Sequence, residues 1–173
     1  MLHGKEISII MAISSGRLIG NNNGLPWPFI REDMKYFQDK TIPHSVIMGR
    51  NTWDSIPTRF RPLRDRENIV LSRNSEYALS EPGVTLARTF DAGVQVAKNA
   101  QVFAIGGVAV YKEALHHADN LYITEVSGEF EGDVFFPLYN EDDWLLHESS
   151  QVIAGNTLLK TVIPIKFTVY KRK

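Results

Sequence analysis

Residues 101–111 read QVFAIGGVAVY. Gln101 to Ile105 is a short, mostly apolar run, as a strand buried on both faces requires. Gly106 and Gly107 end it at once, and a helical pattern follows to about Leu115. A strand that gives way directly to a helix leaves backbone N–H groups free at the positive end of a helix dipole, a setting suited to a pyrophosphate. The plainer account is a tight turn that needs two flexible residues. The stretch is not G-x-G-x-x-G, and no G-x-x-x-x-G-K occurs, so the common dinucleotide and NTP fingerprints are absent.

The same arrangement recurs on either side. In VIMGRNTW (Val46 to Trp53) a buried strand, Ser45 to Met48, ends at Gly49, and Arg50, Asn51 and Thr52 open a short helix that stops at Pro57. In VLSRN (Val70 to Asn74) a third strand, Asn68 to Ser72, ends on Ser72 and Arg73. Each arginine alone is a solvated surface charge by default. Three strand ends with phosphate-type groups carry more weight, because ligands of open α/β sheets bind at the carboxyl ends of strands.

Further strands are expected at Ile7 to Ile13, weakly at Gly83 to Leu86, and at Leu121 to Val126. A final antiparallel pair is expected at Trp144 to Ile153 and Thr157 to Tyr170. Thr89 to Lys98 has a helical pattern. Strand and helix alternate until strands dominate, which predicts an α/β fold with a mostly parallel sheet. Between the first strand and the first helix lies SSGRLIGNNNGLPWP (Ser14 to Pro28), long for a compact domain and therefore functional or mobile.

That helix, Glu32 to Lys40, follows LPWPFI. At about 100° per residue, Asp33, Met34 and Phe37 share one stripe, while Glu32, Lys35, Tyr36 and Asp39 fall elsewhere. Two acids in a first turn are accounted for by the helix dipole alone. Burial of Asp33 beside Trp27 and Phe37 would do more: desolvation raises a carboxyl's pKa. A carboxylate so placed could bind an amidine-like heterocycle or assist a proton transfer.

Composition excludes several classes. The 173 residues suffice for one domain with a real core. A formal net charge of −1 provides no field for nucleic acid or an anionic membrane. No cysteine is present, so thiol chemistry is out. The five histidines lack metal-ligand spacing, and no G-x-S-x-G occurs. The first apolar run is too short to span a bilayer and lacks a signal peptide's basic start. A soluble, cytoplasmic chain is expected.

Taken in order, ISIIMAI, IG…LPW, an acid four residues before a phenylalanine, VIMGRNTWDSIP, RPL…R, NIVLS, IGG…Y, an L-Y-x-T strand and EGDVFFP resemble the dihydrofolate reductase family over nearly the whole chain. The resemblance implies a single domain over residues 1–173, with an adenosine-binding subdomain roughly at 44–98. It also implies a central, mostly parallel eight-stranded sheet, an antiparallel C-terminal strand and about four helices. The implied reaction is reduction of 7,8-dihydrofolate to tetrahydrofolate by NADPH, supplying one-carbon metabolism. The implied enzyme is a monomer and a target of antifolates.

By matching motif, Asp33 resembles the carboxylate that binds the pteridine and promotes protonation at N5. Trp27 resembles the tryptophan that holds a water near it, and Thr124 the threonine hydrogen-bonded to it. Ile10, Met11, Met34, Phe37, Ile56, Leu63, Ile105 and Tyr111 resemble substrate-lining positions, and Arg66 the clamp on the glutamate α-carboxylate. Cofactor positions fall on Ala12, Ile19, Gly20, Gly49, Arg50, Asn51, Thr52, Leu71, Ser72 and Arg73. They continue through Ile105, Gly106, Gly107, Val108, Ala109, Val110 and Tyr111, and in this family the glycine pair is joined by a cis peptide. Ser14 to Pro28 resembles the nicotinamide lid, and Gly128 to Phe136 the loop packed against it.

The chain departs from the family pattern at Val108, the usual third glycine, and at Ala109, an arginine in many bacterial members. It departs again at Arg64-Asp65, where the family has Pro-Gly. A riboflavin-pathway reductase on a related fold would not be expected to carry Trp27, Asp33, Phe37 and Thr124 together. A binding protein that retained NADPH or folate without turnover is the other rival reading.

Overall fold

The computed structural model describes residues 1–156 and 161–173. The part of the expected last strand at 157–160 lies outside the described residues. Among the described residues ten strands alternate with four α-helices. They are β1 (Glu6–Ile13), β2 (Leu18–Gly20), α1 (Arg31–Thr41), β3 (Ser45–Gly49), α2 (Arg50–Ser55), β4 (Glu67–Leu71) and β5 (Val84–Ala87). Then come α3 (Phe90–Val96), β6 (Gln101–Ala104), α4 (Val108–Leu115), β7 (Asn120–Val126), β8 (Val134–Phe135), β9 (Trp144–Asn156) and β10 (Thr161–Arg172). Eight strands form one sheet in the order β5-β4-β3-β6-β1-β7-β10-β9, and β2 pairs with β8 in a separate two-stranded sheet. The β5/β4, β4/β3, β3/β6 and β6/β1 pairings are parallel, and β10 is antiparallel to both β7 and β9. This is the expected mixed sheet with four helices. The pair β2/β8 is an addition that three- and two-residue strands do not announce.

The chain forms two compact units. The first comprises Met1–Ile9 with Thr41–Asp119. Its strands are buried on both faces: Ile7, Ile9, Val46, Ile47, Met48, Ile69, Val70, Val102 and Ala104 have no measurable exposure or almost none. That accounts for their continuous apolar runs. Thr89 caps α3, its hydroxyl accepting from the Ala92 N–H at 3.1 Å. The helix ends at Val96, two residues before the expected Lys98.

The second unit comprises Ile10–Lys40 with Asn120–Lys173. Trp27, Ile30, Val126, Ala154, Ile163, Ile165 and Phe167 form its buried cluster, with Tyr36 and Phe130 packed against it. Here the structure corrects the sequence reading of α1. Tyr36, expected on the polar side, stacks on Phe167 with ring centroids 4.1 Å apart. Met34, expected on the apolar stripe, is 39% exposed. A tyrosine can bury its ring and keep its polar tip near water, so the stripe runs through Asp33, Tyr36, Phe37 and Lys40. Lys40 lies over the rings of Tyr36 and Tyr122, at 5.4 and 5.7 Å. Among the described residues no helix is long and apolar enough to cross a membrane.

Candidate active site

In the second unit the chemistry gathers around Asp33. The first turn of α1 carries it, and Thr124 on β7 hydrogen-bonds to its carboxylate. Thr124 is fully buried, so its hydroxyl is fixed by the sheet. Burial pushes the Asp33 pKa above its ordinary 3.8, and the Thr124 bond works against that rise. Trp27 is 4% exposed and packs edge-on to Phe130 at 5.8 Å. Its indole N–H has no hydrogen-bond partner among the described residues, a cost for a buried donor that a bound polar group would offset. Ile10 and Met11 are buried on β1, with Ala12 beside them, and Phe37 is half-buried one turn after Asp33. Glu32 is half-buried, one carboxylate oxygen lacking a partner among the described residues. The sequence reading, which placed only Asp33 at the apolar edge, did not foresee this.

The segment expected to act as a lid, Ser14 to Pro28, belongs to the same unit. The Asp133 N–H donates to the Gly20 carbonyl at 3.1 Å, and the Asn22 N–H donates to the Asp133 carboxylate at 3.3 Å. The Phe136 N–H donates to the Arg17 carbonyl at 2.7 Å, and the Arg17 guanidinium returns a bond to the Phe136 carbonyl. A Cβ on Gly132 would stand 2.4 Å from the Gly20 carbonyl oxygen, so only glycine fits there. Ile19 is half-buried on β2.

In the first unit, adjacent parallel strands β3 and β6 each lead into a helix through glycine: β3 ends on Gly49, and β6 ends at Ala104 with Gly106 and Gly107 two and three residues on. The Gly49 N–H donates to the Gly106 carbonyl at 2.8 Å, locking the two strand ends together. Gly49 and Gly107 are the N-cap residues of α2 and α4, and neither helix start is satisfied by a capping side chain. The Gly106-Gly107 peptide is cis, as the resemblance implied. Gly106 has φ +124°, and a Cβ there would lie 3.2 Å from the Thr52 hydroxyl, so a side chain would be both strained and crowded. Tyr111 is buried on the second turn of α4, while Val108 is half-buried and Ala109 exposed at its start.

Arg50 is exposed and lies over the Tyr77 ring at 5.6 Å. Asn51 is exposed and Ser72 buried, while Arg73 points to solvent. Leu71 is turned inward toward Gly93 of α3 instead of standing open. Sequence reasoning missed Arg88, whose guanidinium donates to the carbonyls of Ser72 at 3.0 Å, Asn74 at 2.5 Å and Ser75 at 3.3 Å. It shapes the loop after β4, and nothing local in the sequence marks a side chain that reaches back as far as sixteen residues. Val110 is buried, Ile105 and Ile56 half-buried.

The loop before β4 explains the Arg64-Asp65 departure. Asp65 takes φ +58°, the left-handed conformation a glycine would adopt and that aspartate tolerates better than most residues. Buried Asn68 rivets the loop. It accepts from the Leu63 N–H at 2.9 Å and donates to the carbonyls of Leu63 and Arg66 at 2.8 and 3.0 Å. Arg66 bonds the Arg64 carbonyl and the Thr41 hydroxyl, at 2.9 and 3.0 Å. Its turn is therefore formed without Pro-Gly. Among the described residues no cluster of His, Asp or Glu could hold a metal.

The family model described as dihydrofolate reductase matches residues 6–172. The chain belongs to the dihydrofolate reductase family. A dihydrofolate reductase of Rattus norvegicus is 36% identical over 188 residues, covering 98% of each chain. One of Bacillus subtilis is 37% identical over 170 residues, covering 96% of this chain and 95% of its own. The solved structure of a dihydrofolate reductase from Enterococcus faecalis, complexed with NADP(H) and RAB-propyl, superposes with a TM-score of 0.85 at 28% identity. It spans 99% of this chain and 98% of that one. Members of this family are oxidoreductases, and the fold here is the family's.

Proposed function

We propose that this chain catalyses the NADPH-dependent reduction of 7,8-dihydrofolate to tetrahydrofolate, supplying one-carbon metabolism. The observation that carries the reading is Asp33, a carboxyl that burial holds above its usual pKa range and that a buried threonine hydroxyl orients.

Asp33 accepts from the donor edge of the pterin, the 2-amino group and N3, and so raises the basicity of N5. Trp27 offers its unpaired indole N–H to a water that carries the proton to N5. Ile10, Met11, Met34, Phe37, Ile56, Leu63, Ile105 and Tyr111 exclude solvent and orient the substrate. Arg66 takes the glutamate α-carboxylate through a planar, bidentate fork.

The glycine cradle fits a pyrophosphate, because its free helix N–H groups lie beside backbone too crowded for a side chain at Gly106. Gly49, Asn51, Thr52, Gly106, Gly107, Val108, Ala109 and Val110 would hold NADPH there, with Arg50, Ser72 and Arg73 on the 2′-phosphate side. Ala12, Ile19 and Gly20 would bound the nicotinamide end, and Leu71 would back the loop that carries Ser72. NADPH, when bound, supplies the hydride that reaches C6. The unit holding residues 44–98 then serves the adenosine half. All proposed residues come from one chain, so a monomer suffices for turnover. Its setting is the cytoplasm, in keeping with a chain without cysteine. Antifolates with an amidine-like edge compete for Asp33.

The test is dihydrofolate-dependent loss of NADPH absorbance with the purified chain. Turnover at ordinary enzyme rates, much slower with NADH, is the expected result. Binding of NADPH without turnover would leave the fold and remove the activity.

A further inference from the structure

Arg50 opens α2, and its guanidinium lies 5.6 Å from the centre of the Tyr77 ring, within cation–π range. Among the described residues its side chain makes no hydrogen bond and no ion pair, so its N–H groups stay available to an anion. An acid stands close by in sequence. Asp54 is four residues further along α2, the spacing at which an arginine and an aspartate pair across one helical turn. Such a pair would occupy the charge of Arg50. Asp54 is engaged elsewhere instead. The Tyr77 hydroxyl donates to its carboxylate at 3.3 Å, and the Arg61 guanidinium lies 3.9 Å from the same oxygen. Tyr77 therefore supports Arg50 with its ring and holds the neighbouring acid with its hydroxyl.

Tyr77 is itself fixed in place. Its N–H donates to the Asn74 carbonyl at 3.2 Å, and the Glu76 N–H donates to the Asn74 side chain at 3.0 Å. The Asn74 N–H donates to the Ser72 hydroxyl at 3.3 Å. Arg88 binds the carbonyls of Ser72, Asn74 and Ser75 from the other side of the turn. The turn that carries Tyr77 is thus closed by side chains as well as by backbone. Arg50, Asp54, Arg61, Tyr77 and Arg88 all belong to the first unit.

We infer that Tyr77 is a positioning residue for the choice of cofactor, presenting the Arg50 guanidinium to the 2′-phosphate that NADPH carries and NADH lacks. The inference rests on the reading that places Arg50 on the 2′-phosphate side. An arginine loses rotamer freedom when it binds an anion, and a guanidinium already ordered by a ring loses less. That advantage reaches only a ligand with the 2′-phosphate, so it separates the two cofactors. Its effect falls on cofactor affinity and leaves the chemical step alone.

Calorimetric titration of the full chain with NADPH and with NADH tests this without turnover. The native chain should bind NADPH more tightly than NADH. Tyr77→Leu should weaken NADPH roughly two- to fivefold, the scale of an exposed cation–π contact, with the NADH affinity unchanged. Tyr77→Phe keeps the ring and should retain most of the preference. Arg50→Leu should lose the preference, and adding Tyr77→Leu to it should weaken NADPH little further, because both substitutions break one interaction. In steady state Tyr77→Leu should raise the KM for NADPH with kcat nearly unchanged. A native preference in Tyr77→Leu overturns the proposal. An equal loss of NADPH and NADH also overturns it, as does a loss that adds in full to that of Arg50→Leu. A native chain without preference for NADPH would fail the assignment of Arg50 itself, and the role of Tyr77 with it.

Discussion

Asp33 holds its proton more tightly in the folded chain than in the unfolded one, because burial raises its pKa from 3.8. Its contribution to stability is fullest below that value and is lost as pH rises through the folded pKa. Asp33→Asn removes this penalty. At pH 7 the variant should melt above the native chain, and the difference should vanish near pH 3. Activity moves the other way: turnover at pH 7 should fall by about two orders of magnitude or more, the scale of a lost proton-transfer assist, and recover in part at acid pH where substrate arrives protonated. A melting temperature at pH 7 below the native one would contradict the penalty, and full activity would remove Asp33 from the chemistry. Thr124→Val tests the opposing influence. Losing that hydrogen bond should move the apparent pKa of the activity profile upward. An unmoved or lowered limb would mean that Thr124 does not act through Asp33. Helical phase puts Asp33 at the apolar edge, but it did not show that Glu32 is half-buried beside it. Nor did it show the inward turn of Tyr36, since a tyrosine is polar in a pattern and aromatic in a core.

At the scale of elements, legibility follows length and burial. β1, β3, β4 and β6 read as apolar runs because both their faces are covered, whereas α3 starts one residue later and ends two residues earlier than its pattern, with Thr89 serving as its cap. β2 and β8 carry too few residues for any period, yet they tie the segment proposed as a lid to the loop packed against it, Leu18 opposite Phe135 and Gly20 opposite Val134. Their contact depends on Gly132, where a Cβ would meet the Gly20 carbonyl at 2.4 Å and Leu18 at 2.6 Å. Gly132→Ala should therefore part the two strands. We expect turnover to drop tenfold or more with a smaller loss of stability, read from steady-state rates beside a thermal melt. Unchanged rates would mean that the lid does not depend on this contact. The loop before β4 gives the complementary case. Asn68→Ala strips three hydrogen bonds from a buried site and should cost about 1–3 kcal/mol of stability. It should also raise the KM for dihydrofolate while leaving kcat nearly unchanged, because Arg66 loses its support but touches no reacting atom. A fall in kcat alone would assign the loop a different role. Neither Asp65's left-handed backbone nor the reach of Arg88 to Ser72, Asn74 and Ser75 could be read from neighbours in sequence.

For the molecule as a whole, this reading puts the phosphate contacts of NADPH at Gly106 and the pterin contact at Asp33 on different units, so the two can be read apart in stability. NADPH binds the folded chain and not the unfolded one. It should therefore stabilise by RT ln(1 + [L]/Kd), or about 2.7 kcal/mol at a hundredfold excess over Kd. For a chain of 173 residues each kcal/mol moves the melting temperature by roughly 2–4 °C, so a shift of about 5–11 °C is expected. Gly106→Ala places a side chain at φ +124° against Thr52, which should abolish most of that shift. Asp33→Asn, whose substitution lies in the other unit, should retain it. The contrast reads cofactor binding apart from catalysis in an apparatus that measures no turnover. If both variants kept the full shift, the glycine cradle would not be the cofactor site. If both lost it, cofactor binding would depend on Asp33 as well, and the assignment of NADPH to one set of residues and pterin to the other would fail.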